Sequence, residues 1–459
     1  MKKYISILII LVLGIISFNQ IFASEKSEVY RRIKSAVDNI WMVDTHEHLM
    51  TEKERLSRNI DFFELFSQYT SSDLISSGMP RGYFGNKEET LEERWEKFYP
   101  YWKKMRNTGY AKCILVAVRD LFGIDDINEN TYREINRKII ESNKKGGWYK
   151  HVLKDKAKID VSLLDVLNRK DKGLSEINGE YFVRVRRFED RDFNFVQVSP
   201  KTLPDLEIHT GIKIRTLEDL LSALDTAFQK AINEENIVGV KIAIAYSRKI
   251  QFDDVPKIEA EQAFNKMFKY KETLSKEETT KFQDFLIHQV IEHAIKYDLP
   301  IQIHTGLQTG SGNIITNSKP THLVNLFMKY RKAKFDIFHG SYPYMGELAT
   351  LAKNFQNVYI DMCWMHIISP SASKRYLEEW LETVPSNKIL AYGGDYLFVE
   401  GAYGHAVMAR EIVAEVLTKK VEEGYFSEKE AITIAKRILR DNAIELFKLK
   451  KIGNRYQKK

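Results

Sequence analysis

The chain has 459 residues, of which 44% are hydrophobic, 29% charged and 12% aromatic. This ordinary composition excludes a disordered, collagenous or disulfide-scaffold protein. The 70 Lys and Arg residues and the 63 Asp and Glu residues leave a net charge of only +7. We therefore expect no nucleic acid partner. At ~150 residues per domain the length predicts about three domains, but a single α/β barrel with insertions reaches the same length.

The first residues have the pattern of a targeting segment. Lys2 and Lys3 precede an almost wholly apolar run over residues 7–18, and a small residue, Ala23, stands before the polarity returns. A charged start, a short apolar run and a small residue predict a secretory signal peptide over residues 1–23. The mature chain, residues 24–459, is then exported to the periplasm or secreted, without further membrane contact. The alternative is an uncleaved anchor, for which the apolar run is short.

Short apolar segments alternate with amphipathic helical patterns over the second half of the chain, which is typical of βαβ units and a parallel sheet. Three upstream segments bring the predicted strands to eight, the number in a (β/α)8 barrel. They are residues 40–44, 159–164, 181–186, 237–245, 299–303, 335–338, 357–361 and 388–392. Residues 50–150 are rich in helix formers and aromatic residues, and predict a mostly helical insertion near the barrel mouth.

Polar residues follow several of these strands, where the chemistry of such barrels is located. Four of the 11 histidines stand at predicted strand ends, together with a late aspartate: His46, His48, His304, His339 and Asp395. His46 and His48 are two residues apart on an extended segment, so both side chains point to the same side. Imidazole and carboxylate together suit Zn²⁺ first, with Mn²⁺ and Fe²⁺ as alternatives. The two cysteines, Cys113 and Cys363, lie in apolar runs and predict buried free thiols.

The residues that follow the strands resemble those of the amidohydrolase superfamily of metal-dependent (β/α)8 barrels. The resemblance covers residues 40–48 and about 237–450, and is closest to the branch that includes uronate isomerases and the amidohydrolase module of glutamine-synthetase-like fusions. It rests on Val43-Asp-Thr-His-Glu-His48, Gly239-Val-Lys-Ile-Ala-Ile-Ala-Tyr246, Gln302-Ile-His-Thr-Gly306, His339-Gly-Ser-Tyr-Pro343, Gly393-Gly-Asp395 and Arg440-Asp-Asn-Ala443.

This resemblance implies roles for individual residues. His46, His48 and Asp395 would bind a first divalent metal, and His304 would be a further ligand or be shared with a second metal. In the two-metal members a carboxylated lysine on the fourth strand bridges the ions, and Lys241 occupies that strand here. The mononuclear members lack this lysine, so one ion and two ions both remain open.

The chemistry of the side chains adds catalytic roles. Asp395 is the candidate general base, because a carboxylate beside a metal-activated water can take its proton and pass it to the leaving group. His339 would bind a second metal or polarise the substrate carbonyl. Arg248, after the fourth strand, would hold a substrate carboxylate or form a surface salt bridge. Arg184 and Arg186 are weaker candidates of the same kind.

We therefore expect a metal-dependent hydrolase that acts on a C–N or C–O bond of a small anionic or carbonyl-bearing molecule. A lyase, a decarboxylase or a uronate-type sugar isomerase on the same barrel is the alternative. A third possibility, a binding barrel that has lost its metal, conflicts with the intact set of His46, His48, His304 and Asp395. The expected partner is a small-molecule substrate, and homo-oligomers remain open.

Overall fold

The computed structural model describes residues 26–166, 179–189, 193–453 and 455–458, so the predicted signal peptide lies outside the described residues. Within them, eight parallel strands pair in chain order. The backbone also links the two ends of this sheet, since Thr45 donates to Tyr392 O at 3.1 Å and Asp395 donates to His46 O at 2.8 Å. The architecture is a (β/α)8 barrel, which confirms the predicted fold class.

Each predicted strand is present, and the boundaries differ by a few residues. The strands are β1 (Met42–Glu47), β2 (Ile159–Asp165), β3 (Phe182–Arg187), β4 (Ile237–Ile242), β5 (Ile301–Ile303), β6 (Phe335–Ile337), β7 (Val358–Asp361) and β8 (Ile389–Leu390). β1 extends further than predicted, to Glu47, whereas β4 was predicted to run to residue 245 and ends at Ile242. There the Ala243 N–H donates to the Glu189 carboxylate instead of to a neighbouring strand, so the ladder ends.

Helices surround the strands and form the connections between them. The α-helices are α1 (Glu28–Asp38), α2 (Glu52–Leu56), α3 (Tyr69–Ser76), α4 (Leu91–Met105), α5 (Gly109–Phe122), α6 (Tyr132–Ser142), α7 (Leu203–Thr210), α8 (Leu217–Asn233), α9 (Lys257–Phe264), α10 (Lys276–Lys296), α11 (Val324–Lys329), α12 (Met345–Asn354), α13 (Met365–Ile368), α14 (Pro370–Thr383), α15 (Val399–Glu422), α16 (Glu428–Lys436) and α17 (Asn442–Leu446). A terminal hairpin pairs β9 (Leu449–Ile452) with β10 (Arg455–Lys458).

The long connection between β1 and β2 contains α2 to α6 and has an aromatic core. Trp95 stacks on Tyr132 with ring centroids 4.2 Å apart, and Phe98 stacks on Trp102 at 5.9 Å. These side chains are almost completely buried, so their ring faces contribute packing energy. Tyr69, at the start of α3, extends from this insertion to the carboxyl ends of the strands, where it lines the cavity described below.

None of the described helices is both long enough and apolar enough to cross a membrane.

Candidate metal and catalytic site

His46 on β1 and His48, which directly follows this strand, place their ring nitrogens close together. The Nδ1 atom of His46 lies 3.2 Å from the side-chain oxygen of Gln302, and that of His48 lies 2.8 Å from the backbone oxygen of Asp165. With a proton on each Nδ1, the lone pairs of both Nε2 atoms are free to bind a cation. Metal-binding histidines usually donate from the second ring nitrogen to such an acceptor, which sets the tautomer and the orientation of the ring.

Asp395 completes this arrangement from the segment after β8. Its Oδ1 atom lies 3.2 Å from His48 Nε2 and 3.8 Å from His46 Nε2. Ligand atoms of these three residues all lie within 4.8 Å of one another. Burial strongly lowers the pKa of His46, and nearby Lys241 lowers it further, so this ring is neutral. Two imidazoles and a carboxylate fit a divalent transition metal. The structure therefore brings together the predicted first-metal ligands.

His339 and His304 form a second pair beside Asp395. His339 Nδ1 lies 3.8 Å from Asp395 Oδ2, and with Cys363 these residues form another group of three candidate ligands among the described residues. His339 Nε2 lies 2.9 Å from His304 Nδ1, and His304 Nε2 lies 3.0 Å from Leu307 O. His304 therefore has neighbours at both ring nitrogens and belongs to neither group of three. His304 lines the cavity beside His339, and its predicted role as a further metal ligand stays a prediction.

Lys241 is buried on β4 and lines the same cavity. Its Nζ atom lies 3.6 Å from the centre of the Phe338 ring and has no hydrogen-bond partner among the described residues. Burial and the positive charge of Arg187 lower the pKa of this amine to about 8. A buried lysine without a hydrogen bond is costly, which favours a bound anionic group or chemical modification. Its role as a bridging ligand stays a prediction.

These side chains line a cavity of about 540 Å³ at the carboxyl ends of the strands. Several of its residues were not among the predicted site residues. They are Gln68 and Tyr69 from the insertion, Arg187, Glu189, Asn194 and Gln197 from the β3 end, and Tyr246, Ser247 and Thr309 from later connections. Burial raises the pKa of Glu189 to about 7, so this carboxyl group exchanges protons near neutral pH. The wall thus offers cationic, carboxyl and neutral hydrogen-bonding groups.

The structure does not bring Arg248 to this cavity. Its side chain folds back against α10, where the guanidinium donates to Asp284 Oδ1 at 2.6 Å and to Thr280 O at 3.1 Å. Arg184 and Arg186 are likewise held elsewhere, each paired with Glu235.

Among the described residues, the arginine that lines the cavity is Arg187, the last residue of β3. Its guanidinium donates to Asp165 at 2.8 and 2.5 Å. Asp165 is buried, which opposes ionisation, yet Arg187 keeps the pKa of this carboxyl below its ordinary value. The predicted β3 ended one residue early, at Arg186. A strand one residue longer would have placed Arg187 at a strand end.

The fold and this cavity together define a (β/α)8 barrel with a candidate metal site at its catalytic face. Residues 227–449 match the family model described as Amidohydrolase. Protein fluG of Emericella nidulans is 27% identical over 232 residues, which is 48% of this chain and 26% of that protein. The chain thus matches about a quarter of the length of this curated relative.

Two solved structures have the same fold over almost their whole length. Uronate isomerase from Thermotoga maritima has a TM-score of 0.77 and 19% identity, covering 92% of this chain and 98% of that chain. Glucuronate isomerase from Caulobacter crescentus has a TM-score of 0.72 and 16% identity, covering 92% and 94%. The family match covers the barrel from β4 to β8, and the likeness to these two structures shows a shared fold.

Proposed function

We propose that this chain is a metal-dependent hydrolase that cleaves a C–N or C–O bond in a small anionic molecule. One observation carries the proposal: the Asp395 carboxylate faces His46 and His48 through Oδ1 and His339 through Oδ2. One carboxylate can therefore hold a cation and exchange a proton with a reacting group at the same place.

The residues of the site have complementary roles in this reaction. A divalent ion held by His46, His48 and Asp395 would supply Lewis acidity and make a nearby water more acidic. Asp395 takes a proton from the attacking water as the water oxygen bonds to the carbonyl carbon. The same carboxyl group returns the proton to the leaving nitrogen or oxygen as that bond breaks. His339 stabilises the negative charge that develops on the carbonyl oxygen.

The charge of the cavity wall supports an anionic substrate. Arg187 and Lys241 both line the cavity, and the Lys241 amine has no hydrogen-bond partner among the described residues. The neutral amides of Asn194 and Gln197 lie on the same wall. A substrate carboxylate would be held by charge-assisted hydrogen bonds here. This assigns to Arg187 and Lys241 the binding role that the sequence suggested for Arg248.

We also propose the identity of the metal and the location of this enzyme. Zn²⁺ is the first choice of metal, with Mn²⁺ and Fe²⁺ as alternatives, because nitrogen and carboxylate ligands suit all three. The pattern of residues 1–23 supports export to the periplasm or secretion.

A uronate-type isomerase is the second candidate function. The likeness in fold extends over 92% of this chain and therefore includes most of the insertion after β1. The polar wall would suit the hydroxyl groups of a sugar acid. An isomerase moves hydrogen between neighbouring carbons and needs no attacking water, so the two candidates differ in their products.

Product analysis in ¹⁸O-labelled water tests the proposal. Protein loaded with Zn²⁺ or Mn²⁺ is incubated with N-acyl amino acids and sugar-acid lactones, and separately with hexuronates. We expect one labelled oxygen in the carboxylate released from a member of the first set, at a rate above the spontaneous hydrolysis seen with a His46→Ala/His48→Ala control. Conversion of a hexuronate to its ketose, with no labelled product from the first set, would contradict the hydrolase and support the isomerase.

A further inference from the structure

The backbone of Asp395 has a conformation that its sequence does not favour. Its φ angle is +59°, in the left-handed region that residues with a side chain rarely adopt. Asp adopts this conformation more readily than most residues, and contacts with its surroundings hold it there; such backbone is frequent at functional sites. The Asp395 N–H donates to His46 O at 2.8 Å, which holds one side of the residue against β1.

The other side of Asp395 is held by the helical insertion. Its carbonyl oxygen accepts hydrogen bonds from Tyr69 Oη at 2.6 Å and from Gln68 Nε2 at 2.9 Å. The Gln68 side-chain oxygen in turn accepts from the Leu397 N–H at 2.8 Å. Gln68 thus forms hydrogen bonds with the backbone of both neighbours of Tyr396. We call these two side chains the 68–69 clamp.

Tyr69 is itself fixed by stacking. Its ring lies 4.3 Å from that of Trp364 at an interplanar angle of 21°, and 5.4 Å from that of Tyr110. The Trp364 ring meets His339 edge-on, with centroids 5.1 Å apart. Tyr69 is only 3% exposed, so its hydroxyl has little freedom to turn away from the Asp395 carbonyl.

We propose that Gln68 and Tyr69 are positioning residues. They keep the Asp395 carboxylate pointed at the ring nitrogens of His46 and His48. The insertion would thus complete the metal and proton-transfer site through its contacts to the backbone of Asp395. This inference rests on the proposed function, in which Asp395 binds the metal and transfers the proton. Loss of the clamp would let Asp395 relax toward a common backbone conformation and turn its carboxylate away from the histidines.

Tyr69→Phe and Gln68→Leu test this proposal, with Tyr110→Phe as the matched control. Tyr110 belongs to the same aromatic stack but contacts Tyr69 and Trp364 rather than the Asp395 carbonyl. We expect each clamp variant to bind Zn²⁺ 10- to 100-fold more weakly in a chelator competition, as is typical when a residue behind a ligand is lost. The control should bind Zn²⁺ as the wild type does.

Hydrogen exchange of the metal-free proteins gives a readout that needs neither metal nor substrate. In the clamp variants we expect faster exchange at the Asp395, Tyr396 and Leu397 amides, and no change in Tyr110→Phe. Wild-type rates in the clamp variants would overturn the inference, as would unchanged metal affinity. A wild type that binds no metal would refute the proposed function, while the exchange rates would still decide whether the clamp exists.

Discussion

Replacement of Asp395 by Asn is expected to reduce kcat by about 10²- to 10⁴-fold, the usual contribution of a positioned general base. The amide cannot take a proton from water, although it keeps the size of the carboxylate. Asn also tolerates the left-handed backbone conformation found at this position. The hydrogen bonds from Gln68 and Tyr69 go to the backbone oxygen and remain available. The variant should therefore fold normally.

Steady-state kinetics on the substrate found by ¹⁸O labelling, together with a thermal melt, would check this expectation. Asp155→Asn is a suitable control, because Asp155 pairs with Lys150 on the surface, with 48% of its side chain exposed. Turnover by Asp395→Asn equal to that of the control would reject Asp395 as the base.

The largest expected effect on stability is at Gly394, which precedes Asp395. A Cβ atom there would lie 1.7 Å from Oε1 and 2.7 Å from Cδ of Glu47. Glu47 is fully buried and accepts a hydrogen bond from the Tyr396 N–H at 2.7 Å, so it has little room to retreat. Gly394→Ala should therefore lower the free energy of unfolding by about 3 kcal/mol, as expected for overpacking in a rigid interior.

A matched control for this variant is Gly346→Ala. Gly346 lies in α12, and a Cβ atom there would have no neighbour within 4 Å. Alanine should stabilise the helix by up to about 1 kcal/mol. Chemical denaturation of both variants would show the contrast. Equal midpoints for Gly394→Ala and the wild type would mean that Glu47 is not fixed as described.

Local patterns in the sequence were sufficient to predict the barrel and to find the residues that meet at its candidate metal site. The strands of a barrel are short apolar runs, and β1 to β8 all lie within or overlap the predicted segments. Because parallel strands place their carboxyl ends at one face, residues that follow them converge. His46, His48, His339 and Asp395 were found in this way, although they are up to about 350 residues apart in the chain.

The contributions of the insertion could not be predicted in this way. Gln68 and Tyr69 reach Asp395 through contacts between segments more than 300 residues apart, and no periodic pattern marks such residues. The sequence could not decide between the two alternatives for Arg248 for a similar reason. Its partner Asp284 lies on α10, and the direction of an arginine side chain after a strand depends on which carboxylate lies nearby.

The central claim, that His46, His48 and Asp395 hold a catalytic metal, is tested most directly by the metal content of the purified protein. Elemental analysis of the chain without residues 1–23 should find one or two transition-metal ions per chain, and a His46→Ala/His48→Ala variant should have lost them. Two ions would also implicate Lys241 as a bridging ligand. Absence of metal from the wild-type protein, even after reconstitution with Zn²⁺, Mn²⁺ or Fe²⁺, would contradict the account.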